Sequence, residues 1–123
     1  MADKRKVIGI GGVFFKSSNV EKLHEWYKKH LGFENVESWG KVFEWKQKSS
    51  IKEHYTVWGT FNADTKYFDK PYMINYIVED LEWLAEQLKK DNIEISEIEV
   101  HDQGKFAWLI DPEGTKIELW EPK

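Results

Sequence analysis

The sequence predicts an α+β fold in which one βαβββ module occurs twice, its strands forming a curved mixed sheet around a cavity. Two observations predict it. A strand-then-helix stretch over residues 7–34 returns over residues 72–91: displaced by 61 positions, Val20 falls on Leu81, Leu23 on Leu84 and Tyr27 on Leu88. In both copies an Asn or Asp (Asn19, Asp80) opens the helix directly after an apolar strand, and strand-like segments follow. A repeated unit implies a pseudo-twofold axis, so positions in one half should mirror a site in the other.

The 123 residues are expected to form a single domain, 1–123, with a first module over 7–62 and a second over 72–122. The first strand, 7–15, holds Gly9, Gly11 and Gly12. Glycine inside a strand marks a bulge or a close backbone approach, or else a flexible strand entry. These glycines lack the third Gly and the turn position of a dinucleotide-binding fingerprint. Asn19 is the expected N-cap of the first helix, with Glu21 and Glu25 near its positive end. Val20, Leu23, Tyr27 and Leu31 form its apolar stripe, and Gly32 stops it. Strands are expected over 36–39, 41–46 and 54–60, with Gly40 in a turn and a polar loop over 47–53.

The 61–71 connection carries Phe61, Tyr67 and Phe68 and is too long for a tight turn. Such a connection either covers a site or crosses between half-sheets. Strand Tyr72–Val78, helix Leu81–Lys90 and strands over 93–100, 105–110 and 115–121 follow, with a loop over 101–104 and a turn over 111–114. Lys89 and Lys90 suit the negative end of the second helix.

Composition narrows the function. A net charge of −4 gives no electrostatic reason to bind nucleic acid. The cluster Lys4-Arg5-Lys6 is short and terminal and reads as a solvated tail. The absence of cysteine excludes disulfides and thiolate ligands and fits a reducing cytoplasm. With no long apolar run and no signal-peptide core, a cytoplasmic protein that does not associate with membranes is expected. Seven Trp residues in so short a chain must line a core, a pocket or an interface.

Three segments carry a resemblance. They are the helix ending Trp26-Tyr27 and Leu31-Gly32-Phe33, the strand-to-helix passage from Asn75 to Asp80-Leu81, and Asp111-Pro112-Glu113-Gly114 running into Ile117-Glu118-Leu119. In this order they resemble the vicinal oxygen chelate superfamily of glyoxalases, bleomycin-resistance proteins and extradiol dioxygenases. The resemblance implies paired βαβββ modules, curved sheets around a cavity, helices outside, and a homodimer. It also implies a divalent metal held by His and Glu from the first and last strands of each module.

Carried over residue by residue, the ligand set breaks. The two His positions fall on Gly12 and Met73. One Glu position falls on Glu118, and its mirror falls on Thr56 or Val57. A divalent ion needs several oxygen or nitrogen donors, and one carboxylate does not make a site. No metal ligand is therefore assigned and no cofactor expected, the alternative being one divalent ion at a displaced site.

The remaining candidates have two readings each. His24 and His30, on the first helix, read as solvated surface, and His54 and His101 as polar loop edges. Glu44 reads as solvent-facing or paired with a Lys, or else as an inward partner for Glu118. Glu118 either enters the cavity as a catalytic proton carrier or amine ligand, or is satisfied by a neighbouring Asn, Tyr or Thr. Strand alternation groups Phe14 with Gly12, Trp58 with Thr56, and Asn75 with Met73. With Glu118 and Trp120 they would line an aromatic pocket with a few polar groups, the usual makeup of a small-molecule site. The alternative is that the rings only fill a core.

Three functions follow. One is a metal-free binding protein that takes a flat aromatic or cationic molecule between tryptophans. Another is a metal-dependent lyase, isomerase or dioxygenase with a displaced metal site, or one using Glu118 as general base. The third is a dimeric domain whose aromatics serve an interface.

Overall fold

The structure, a computed structural model, describes residues 6–46 and 53–123, without the side chains of residues 45, 46, 53 and 54. Lys4, Arg5 and the expected loop up to residue 52 lie outside the described residues. The elements are β1 (Val7–Ser17), α1 (Val20–Leu31), β2 (Gly40–Lys46), β3 (Glu53–Asn62), β4 (Tyr72–Val78), α2 (Leu81–Lys90), β5 (Glu99–His101), β6 (Gly104–Ile110) and β7 (Lys116–Pro122). They fall into two compact units, Gly12–Tyr72 and Met73–Lys123, the latter with the residues up to Gly11. No described helix is long and apolar enough to cross a membrane.

In the Gly12–Tyr72 unit, β1 runs parallel to β3 with Gly12 opposite Val57, and β2 runs antiparallel to β3. Helix α1 starts where the Asn19 side chain accepts the Lys22 N–H at 3.0 Å, and it ends at Gly32, whose φ of 70° is left-handed. Tyr27 packs against Trp58 with ring centroids 4.8 Å apart. The expected stripe needs two corrections. Leu31 is 57% exposed, because Phe33, beyond the Gly32 stop, closes against Tyr27 and Trp58 instead. His24, expected at the surface, is buried, since a 3.6-residue period places position 24 on the inner face as well as position 23.

The expected strand over 36–39 reduces to one bridge. Glu37 and Gly40 exchange backbone hydrogen bonds of 2.7 and 3.1 Å, and the chain turns at once into β2.

In the Met73–Lys123 unit the strand order is β4-β7-β6-β5, with β4 parallel to β7 and the other pairs antiparallel. Asp80 caps α2 by accepting the Trp83 N–H at 3.1 Å, and Glu121 Oε1 accepts the Leu81 N–H at 2.8 Å. Val78, Leu81, Leu84, Ala107 and Leu119 form the core between helix and sheet. Of the expected strand over 93–100 only Glu99 and Val100 belong to β5, which runs on into His101 of the expected loop. Upstream, the Ser96 hydroxyl takes the Trp108 N–H at 2.8 Å, so a side chain replaces part of the ladder. The 111–114 turn is held by Asp111 Oδ1, which accepts from Glu113 and Thr115.

The duplication also repeats a backbone device. Gly40 opens β2 at φ 136°, and Gly104 opens β6 at φ 133°. A Cβ at either would strike a carbonyl of the opposite strand, Trp58 O or Glu121 O. Gly40→Ala and Gly104→Ala are each expected to cost about 3 kcal/mol in chemical denaturation, from backbone strain plus a clash with unyielding backbone. Gly32→Ala, with open space around its Cβ, should cost only about 1 kcal/mol.

Candidate ligand-binding face

Alternation along the strands of the Met73–Lys123 unit sorts its side chains into two faces. Tyr76, Val78, Ala107, Leu109, Ile117 and Leu119 pack toward α2. Met73, Asn75, Phe106, Trp108, Glu118 and Trp120 take the opposite parity and gather on the other face. The pairing register places Asn75 beside Glu118, Trp108 beside Glu118, and Phe106 beside Trp120.

Glu118 is 4% exposed and Asn75 is 2% exposed. Glu118 Oε1 accepts a hydrogen bond from Asn75 Nδ2 at 2.7 Å, and Oε2 accepts one from Trp108 Nε1 at 2.8 Å. Removing a carboxylate from water is costly, and these two charge-assisted bonds help offset that cost. The Asn75 amide has room because residue 11 is glycine. A Cβ there would overlap Asn75 Oδ1 and crowd Trp120 and Ile77. Asn75 Oδ1 itself is buried without a hydrogen-bond partner among the described residues.

The rings around the carboxylate stand nearly parallel. Phe106 lies 6.0 Å from Trp120 at 7° between planes, and 6.4 Å from Trp108 at 15°. Trp120 Nε1 donates to Gln103 O at 2.9 Å, which fixes that ring. The Lys116 ammonium sits over Trp108, 5.7 Å from its centroid, in a cation–π contact.

No protein-family profile and no curated protein matches the sequence. Solved structures are similar in shape. A glyoxalase/bleomycin resistance protein/dioxygenase superfamily member from Vibrio splendidus 12B01 has a TM-score of 0.59 at 12% identity, covering 91% of this chain and 97% of that one. A Streptomyces coelicolor methylmalonyl-CoA epimerase has a TM-score of 0.67 at 13% identity, covering 95% and 99%. A catechol 2,3-dioxygenase has a TM-score of 0.66 at 22% identity, covering 96% of this chain and 41% of that one. The chain has the glyoxalase/bleomycin-resistance/dioxygenase fold.

Within that fold the expected site residues fall in three places. Asn75, Glu118 and Trp120 share the face opposite α2, and Met73, fully buried, lies two residues before Asn75 in β4. Phe14, in the other unit, packs over Gly59 and edge-on to Phe61. Trp58 does not share that surface: its ring lies under α1, against Tyr27, Phe33, His24 and Phe15.

The reason for the Trp58 correction is register. Gly12 pairs with Val57 and Phe14 with Gly59, so Val57 and Gly59 share the face of Phe14, and Thr56 and Trp58 do not. The same register revises the mirror of Glu118. Asn75 pairs with Glu118 as Phe14 pairs with Gly59, so the counterpart of the carboxylate is a glycine filled by the Phe14 ring, not Thr56 or Val57.

Sequence reasoning missed Trp108 and Phe106. Both lie on β6, and placing them needs the antiparallel register to β7; the alternation Phe106, Trp108 was the available signal. Among the other candidates, Glu44 and His30 are exposed, and the His54 side chain lies outside the described residues. His101 is an exposed residue of β5, 3.0 Å from Glu99. His24 Nε2 lies 2.7 Å from Thr60 Oγ1, and burial, then the nearby Lys28 charge, pull its pKa below the ordinary 6.5.

Trp108→Phe keeps a ring but removes the donor to Glu118. It is expected to cost about 2 kcal/mol by denaturant unfolding, and much less in a Glu118→Leu background, which carries no buried charge. Equal costs in both backgrounds would show that the hydrogen bond is not what Trp108 contributes.

Proposed function

We propose that this chain is a metal-free binding protein of the glyoxalase/bleomycin-resistance kind, taking a flat aromatic or cationic small molecule on its Glu118 face. One observation carries the reading. Both Glu118 oxygens accept from uncharged side-chain donors, Asn75 Nδ2 and Trp108 Nε1, so the buried carboxylate is hydrogen-bonded without any ion.

The other donors do not fit a divalent ion. Gly12 has no donor, and the Met73 thioether is soft. Asn75 Oδ1 is aimed at Gly11 and not toward Glu118. No three acidic or His side chains converge among the described residues.

What the face offers is aromatic surface around an anion. Partly exposed Phe106 and Trp108 supply stacking, and Trp108 already takes the Lys116 cation. Glu118 supplies negative potential that favours a positive ligand. In this reading Glu118 orients the ligand, and Asn75 and Trp108 orient Glu118.

The test is a tryptophan-fluorescence titration with proflavine, a planar aromatic cation, against a planar aromatic sulfonate of similar size. Saturable quenching by proflavine alone is expected, weakened about tenfold in Glu118→Gln. Equal response to both probes, or none to either, would contradict the reading.

A further inference from the structure

A second buried polar contact lies in the Gly12–Tyr72 unit, between α1 and β3. His24 on α1 is 7% exposed and Thr60 on β3 is 8% exposed, and their side chains meet at 2.7 Å. The equivalent positions in the other unit are Ala85 on α2 and Leu119 on β7, both buried and apolar. The duplicated architecture thus uses apolar residues at these positions in one unit and a hydrogen-bonded histidine in the other. Two clefts open onto that histidine. One, of ≈520 Å³, is lined by Glu21, Lys22, Glu25, Lys28 and Glu37 among others. The other, of ≈410 Å³, includes Ser18, Ser38 and Asn62. Water and protons therefore reach a ring that is otherwise sealed.

We propose that the His24–Thr60 contact is a proton-sensitive latch that seats α1 on β3 at neutral pH and loosens it in acid. A charged imidazole is a donor at both nitrogens and needs acceptors and solvation for each. On the β3 side it meets the Trp58 ring, 5.5 Å away and tilted 45°, and the Thr60 hydroxyl. When Nε2 carries a proton, Thr60 must turn its own hydrogen elsewhere. The Trp39 carbonyl, at 3.5 Å, is a long second partner that already accepts the Thr60 N–H.

The charged groups around the ring divide by position. Lys28, one turn along α1, opposes a second positive charge, and Lys22 lines the same cleft. Glu21 and Glu25 of α1 and Glu37 before β2 favour the charge, but they line an open cleft where water and salt screen them. Burial outweighs them.

The sign follows from linkage. His24 is held below 6.5 in the folded chain, so the unfolded or unlatched chain takes up the proton first as pH falls. Stability present above pH 6.5 is lost progressively below it.

Hydrogen exchange of backbone amides in the intact chain tests this, with α2 as internal reference and intrinsic rates corrected. Between about pH 7.5 and about pH 5, α1 protection relative to α2 is expected to fall roughly threefold or more. The double variant His24→Leu/Thr60→Val, which restores an apolar pair, should abolish that fall. A constant ratio in the wild type, or the same fall in the variant, would overturn the proposal. If the variant does not fold, NMR titration of His24 in the wild type decides: titration below the ordinary 6.5 is expected, and titration at or above it overturns the latch.

Discussion

The interaction on which the Met73–Lys123 unit turns is the grip on one buried carboxylate. Glu118 sits on the central part of β7, and its two oxygens reach in opposite directions, to Asn75 on β4 and to Trp108 on β6. The pair of bonds ties three adjacent strands together on the face that α2 does not cover. It constrains the chain further out as well. Asn75 needs a glycine at position 11, and the Trp108 backbone is held in turn by Ser96. Leaving either oxygen unsatisfied would expose the full desolvation cost of a charge, which is larger than what a typical hydrogen bond contributes.

Set side by side, the two units show what duplication preserves and what it releases. Helix N-caps, glycine-led strands and the parallel pairing of first with last strand recur. Side chains at matched positions do not. Where one unit pairs Asn75 with Glu118, the other lays the Phe14 ring over Gly59. Where one unit has Ala85 and Leu119, the other has His24 and Thr60. The Asn75–Glu118 contact lies on the face of its sheet away from α2, and the His24–Thr60 contact on the face toward α1. Backbone devices are shared because they fix the fold; side-chain chemistry diverges because it does not.

Much of this was legible in the sequence. Asn19, Gly32 and Asp80 act within a turn of their own position, so local reading located both helices. The Asp111 turn was legible for the same reason. What failed depends on pairing between distant strands. A one-residue choice of register decided whether Trp58 faced a cavity or a helix, because side chains alternate with a period of two. The partners of Glu118 needed two registers at once: Asn75 was weighed, while Trp108 was not. His24 escapes the sequence reading because a helix outside the cavity still has an inner face, and spacings of four from Val20 and three to Tyr27 place His24 on it.

The claim that Glu118 is held by side-chain donors, and not by a metal ion, is tested most directly by elemental analysis of protein purified without a His-tag or chelator. The account predicts substoichiometric metal, unchanged after incubation with Ni²⁺, Zn²⁺, Mn²⁺ or Fe²⁺. About one metal per chain, lost on Glu118→Ala, would contradict it and return the carboxylate to the role of a metal ligand.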